Sequence, residues 1–123
     1  MKYMLLIHSN PASHEAWAAM TEAEQAEGWK AYGELYSELE ASGELIATEA
    51  LADRSQGRRL PATEQLAGVT DGPFAEVKEH LAGFFLIDCE SMERALEVAG
   101  KIPEAPYGLV EVRPVMDMSG MDM

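Results

Sequence analysis

The sequence predicts an α+β fold, a ferredoxin-like split βαβ sandwich with an antiparallel sheet. Two long apolar runs, Lys2 to His8 and Leu81 to Asp88, show no polar alternation. Such runs mark strands covered on both faces, hence central in a sheet. Each is followed by a stretch of helical periodicity and then by a further strand pattern. The order strand, helix, strand, repeated once, is the split βαβ signature. The 123 residues, 47% of them hydrophobic, suit one domain able to bury a core.

The elements follow in order. Asn10-Pro11-Ala12-Ser13 breaks the first strand, and a short helical stretch is expected from Ser13 to Met20. Thr21 and Glu24 form a capping-box pattern that opens a longer helix. Trp29, Tyr32, Tyr36 and Leu39 recur along it at helical spacing, with Leu35 beside them, and Gly43 supplies the stop. Leu45 to Leu51 reads as the second strand, with Glu49 as a carboxylate that would need a partner such as Arg58 or Arg59 if buried. The polar stretch from Ala52 to Gly57 reads as a turn. Arg58 to Leu60 and Gln65 to Thr70 could form a short extra hairpin, against which Pro61 argues. After the central strand ending at Asp88, Ser91 caps a helix with Met92, Ala95, Leu96 and Ala99 on one face. Gly100 and Pro103 end it, and Gly108 to Val115 is the last strand. The domain is expected to span residues 1–116, with 117–123 as a flexible tail.

Charge and composition narrow the function classes. The chain has 22 acidic against 9 basic residues, a formal net charge of −13. Such a surface repels phosphate backbones and anionic lipid, so neither nucleic acid nor a membrane is expected as a partner. Cys89 is the single cysteine, which permits no intrachain disulfide and suits a cytoplasmic location. The apolar run at the N-terminus is too short for a signal peptide or a membrane span. No phosphate loop, nucleophile elbow or metal-ligand spacing is present, so no cofactor or metal is expected.

The candidate site residues gather around one segment. Asp71-Gly72-Pro73-Phe74-Ala75-Glu76-Val77-Lys78-Glu79 opens with turn chemistry and runs straight into the apolar strand. Asp71 reads either as a turn former or as a general base and orienter of a ligand hydroxyl. Glu76, Lys78 and His80 alternate, which in extended chain places them on one face, either as ligand contacts or as a solvated rim. His8 ends the first strand, at the border of the expected cleft. Glu111 and Arg113 share one strand face and are expected to pair.

Met1-Lys2-Tyr3-Met4-Leu5-Leu6-Ile7, the segment from Asp71 to Glu79, and Val110-Glu111-Val112-Arg113-Pro114-Val115 together resemble the YCII-related family in its DGPF-motif branch. The resemblance spans Lys2 to about Met116. It implies a dimeric α+β barrel, in which two sandwiches bring their sheets face to face, and kinship of fold with muconolactone isomerase and small cofactor-independent monooxygenases. Members of the wider group carry a His and an Asp in a cleft, proposed as a catalytic pair. The His position falls at Tyr32 here, and the Asp corresponds to Asp71. Tyrosine does not replace a neutral imidazole base near pH 7, and Val77 stands where the branch more often has Thr or Ser. The resulting expectation is a homodimer that binds a small organic molecule and catalyses an isomerase- or lyase-type proton transfer. Asp71 would act as base or orienter, Tyr32 as a donor to a developing oxyanion, and Lys78 or Arg59 as the countercharge. The alternative is a non-catalytic regulatory module, as the branch resembles gene-neighbourhood companions of alternative sigma factors.

Overall fold

A computed structural model describes residues 1–62, 70–71 and 78–120, with residues 70–71 described as backbone alone. Four strands form an antiparallel sheet: β1 (Lys2–Ser9), β2 (Leu45–Ala50), β5 (His80–Asp88) and β6 (Val110–Pro114), in the spatial order β2-β5-β1-β6. Between β2 and β5 in sequence, β3 (Arg58–Arg59) pairs antiparallel with β4 (Thr70–Asp71). Helices α1 (Pro11–Ala19) and α2 (Glu22–Ser42) join β1 to β2, and α3 (Met92–Ala99) joins β5 to β6. The sheet order and the two helical crossovers are those of the ferredoxin-like α+β sandwich.

The helix boundaries follow from local chemistry. Ser13 N–H donates to Asn10 Oδ1 (2.8 Å) and Asn10 N–H to Ser13 Oγ (2.9 Å), so a capping box starts α1 at Pro11, earlier than periodicity implied. Thr21 and Glu24 form the expected box for α2, with bonds of 3.1 and 2.9 Å. The Thr21 backbone N–H, and its side chain after it, hold the Glu24 carboxyl below its usual pKa. Gly43 ends α2 at φ +80°, with its N–H turned back to Leu39 and Glu40 carbonyls and open space where a Cβ would stand. Gly43→Ala is therefore expected to cost about 1 kcal/mol through backbone strain alone. Asparagine there should cost less, and thermal melts of the two variants would check the order.

The core lies between the helices and one sheet face. Tyr3, Leu5 and Ile7 of β1, Phe85 and Ile87 of β5, Leu35 and Leu39 of α2, and Ala95, Val98 and Ala99 of α3 are all buried. Two helix faces are rotated from their sequence expectation. Trp29 is 61% exposed and Tyr36 42% exposed, leaving Tyr32, Leu35 and Leu39 as the seam of α2. On α3, Leu96 is 55% exposed and Val98 is buried in its place. An aromatic series ties α1 and α2 to the sheet. Trp17 meets Trp29 edge-on at 5.5 Å, Trp29 meets Tyr32 at 6.1 Å, and Tyr32 stacks on Phe85 at 6.4 Å.

Among the described residues no helix covers the other sheet face. Alternation along β1 and β5 sends Met4, Leu6, Phe84 and Leu86 to it, all partly exposed. Ala47 and Glu49 of β2 pair with Leu86 and Phe84 and so share this face. Glu49 is exposed there, so the partner that a buried carboxylate would demand is not required. Residues 115–118 continue past β6 without regular structure. No helix among the described residues is long and apolar enough to cross a membrane.

Candidate functional site

The end of the sheet where β1 and β2 finish and β5 begins carries a groove. It has two adjoining parts, of about 700 and 590 Å³, which share Leu51–Arg54, His80 and Leu81 as their common wall. The larger part extends over Arg58, Arg59 and Glu79, and the smaller over Ser9, Asn10 and His14.

Strand geometry builds this wall. Between Ile7 and His8 the β1–β5 register slips by one residue, so that His8 faces Leu81 and Ser9 faces His80. Such a bulge re-aims the side chains beside it. The β2–β5 ladder extends past Ala50 through a bond from Leu51 N–H to the Ala82 carbonyl (2.8 Å). Asp53 then caps a 3-10 turn, Arg54–Gln56, by accepting from Ser55 N–H (3.0 Å) and the Ser55 hydroxyl. These bonds hold the Asp53 carboxyl below its usual pKa. The turn delivers the Arg54 guanidinium to His80, where Nη1 meets Nε2. Guanidinium has donors and no acceptor, so in this contact Nε2 is the accepting atom.

The structure brings some of the sequence candidates together and separates others. His80 and Arg59 line the same part of the groove. Asp71 reaches it through the backbone, as the register partner of Arg58, which also lines it. The Asp71 side chain, Glu76, and the Phe74 and Val77 of the same motif lie outside the described residues. Lys78 is exposed and is not part of the groove lining.

Tyr32 sits elsewhere, on the helix-covered face against Phe85, with its hydroxyl donated to Glu104 Oε1. Burial, together with that bond, pushes its pKa well above the ordinary tyrosine value. His8 is half-buried near the β6 side, with Nε2 3.6 Å from Glu111 Oε1. Glu111 also accepts from Arg113 Nη2 (2.7 Å) and Nε (3.1 Å), the pairing expected from their shared face. Arg113 first, and His8 after it, hold the Glu111 carboxyl below its usual pKa.

Arg54, Asp53 and His14 are groove residues that sequence reasoning did not single out. Ala52 to Gly57 carried only the polarity of a turn. Arg54 meets His80 across 26 residues of chain, a contact no local pattern announces.

A family model for the YCII-related domain matches residues 1–119. The chain belongs to the YCII-related family. A protein of Rhizobium meliloti (strain 1021), described as uncharacterised, is 32% identical over 117 residues, covering 94% of this chain and 92% of that one. The match takes in both halves of the YCII-related sandwich and therefore every strand and turn that borders the groove.

Proposed function

We propose that the protein binds a small organic molecule in the strand-end groove and moves a proton on it without a cofactor, as an isomerase or lyase does. The supporting observation is convergence. His80 and Arg59, from separate segments, line one groove of about 700 Å³, and Asp71 adjoins it through its backbone partner Arg58. Such a volume suits a small ligand, and imidazole is the side chain best poised for proton transfer near neutral pH. In this reading His80 is the acid–base group, Asp71 is base or orienter, and Glu76 and Lys78 belong to the polar rim. Tyr32 braces the helix layer against Phe85, and His8 belongs with Glu111 rather than with the ligand.

A panel of small metabolites tested by ligand-observed NMR should yield binders that His80→Ala and Arg59→Ala weaken. A bound ligand with an acidic C–H should exchange that hydrogen in D2O, and more slowly with His80→Ala. Binding that survives both substitutions unchanged would remove the site from this groove.

The assembly is part of the same reading. Met4, Leu6, Phe84 and Leu86 form an apolar strip on the sheet face opposite α2 and α3. A second copy of the chain covers it most economically, because the patch is then self-complementary. Sedimentation at micromolar concentration should show a dimer, and Leu6→Glu should shift it to monomer. A wild-type chain that sediments only as monomer would contradict this.

A further inference from the structure

We propose that the groove is selective for a ligand bearing a single carboxylate, which Arg54 receives while His80 takes up a proton. This rests on the binding reading above and names the chemistry of its ligand.

The charge of the groove runs against that of the chain. With a formal net charge of −13, this surface should repel anions at most places. The larger part of the groove nevertheless gathers three arginines, Arg54, Arg58 and Arg59, against the acids Asp53 and Glu79. Arg58 and Arg59 have further contacts of their own, with Arg58 also donating to the Gln56 and Gly57 carbonyls. The argument therefore rests on Arg54. Among the described residues no carboxylate lies within ion-pair distance of it, and its close hydrogen-bonding partner is the His80 imidazole.

A cation spending a donor on an imidazole nitrogen is an exchangeable arrangement. A planar carboxylate matches the guanidinium fork in two parallel bonds, which a ring nitrogen cannot do. Arg54 offers a single fork, which one carboxylate fills. A phosphate dianion would bring a second negative charge toward the carboxylates of Asp53, Glu79 and Glu15.

The same exchange governs the proton. While Arg54 holds Nε2, a proton there would set two cations in contact. Once a carboxylate turns the guanidinium away, Nε2 is free to accept a proton from solvent, and the imidazolium faces the bound anion. The other charges around His80 are those already named, Glu79 immediately before its strand among them, together with His14 and Glu15 across the smaller part of the groove. Binding should accordingly be tighter at pH 6.5 than at pH 8.

Benzoate and its neutral isostere benzamide are suitable probes, titrated into 15N-labelled protein at pH 6.5 and pH 8, with His80 ring and Leu51–Arg54 amide signals followed. Benzoate should saturate these shifts and bind at least about tenfold tighter than benzamide, the worth of one charge-assisted contact. Arg54→Gln should abolish that preference. His80→Gln should retain the preference and lose its pH dependence. Equal binding of the two probes to the wild type, or a preference that survives Arg54→Gln, would overturn the carboxylate assignment while sparing the groove. Inorganic phosphate displacing benzoate at lower concentration would overturn the monoanion. Silence from both probes at the groove signals would count against the binding reading itself.

Discussion

Arg94→Ala should lower the unfolding free energy by about 2–4 kcal/mol at pH 7, and most of that deficit should vanish in acid. Arg94 lies in the first turn of α3, and its side chain is 19% exposed. Its Nε and Nη2 donate to the two oxygens of Glu44 (3.0 and 2.8 Å), and Nη1 donates to Glu97 (2.6 Å). Glu44 stands between the end of α2 and the start of β2, so the fork pins α3 to that corner. Truncating Arg94 leaves a carboxylate with 16% exposure short of its main partner, which costs more than the net worth of the pair. The two Arg94 bonds, helped by Ser42, hold the Glu44 pKa down to about 2 from a usual 4.5. A depressed carboxyl contributes stability above its unfolded value and loses it as pH falls toward its folded value. The gap between wild type and variant should thus be full at pH 6 and shrink between about pH 4.5 and 2. Urea unfolding at pH 7, 4 and 2.5 would test this, and a gap that stays constant across that range would rule out the Glu44 mechanism.

The corner held by Arg94 shows how the sequence speaks clearly about some things and not others. Caps and stops are local, and Thr21, Glu24, Gly43 and Ser91 act where the sequence places them. Of the extra hairpin, Arg58–Arg59 pairs with Thr70–Asp71, while Gln65 to Val69 lie outside the described residues. Burial is less legible, because it depends on which neighbour arrives. Met4 and Leu6 are as apolar as Tyr3 and Leu5, but only the latter pair meets a helix. Trp29 and Leu96 fall at helical spacing and still face outward, since each helix buries a stripe narrower than its apolar pattern. The groove was the least legible part. His80 and Arg59 could be suspected from charge and position, whereas Arg54 owes its role to a turn folding back on β5.

Gly83→Ala is expected to be the most damaging small substitution near the groove, costing about 3 kcal/mol and weakening ligand binding together with stability. A Cβ at Gly83 would stand 2.8 Å from the Glu49 carbonyl oxygen and 3.4 Å from the Ala50 Cα. Both are backbone atoms of β2, the strand paired with β5 at this position, so no side-chain rotation relieves the contact. The strands must separate at the point where the ladder continues into the Leu51–Ala82 bond. That bond sets the wall from which Leu51–Arg54 and His80–Ala82 face the groove. Opening it should draw the 3-10 turn away from β5 and part Arg54 from His80. Gly33 provides the control, because it lies in the interior of α2 with nothing within 4 Å of its would-be Cβ. Alanine there should stabilise by about 0.5–1 kcal/mol through reduced freedom of the unfolded chain. The two variants make the same chemical change and should move the melting temperature in opposite directions, and only Gly83→Ala should disturb the His80 ring signals. Normal His80 signals in a destabilised Gly83→Ala protein would mean that the Arg54–His80 contact is held by the turn alone, independently of the β2–β5 ladder.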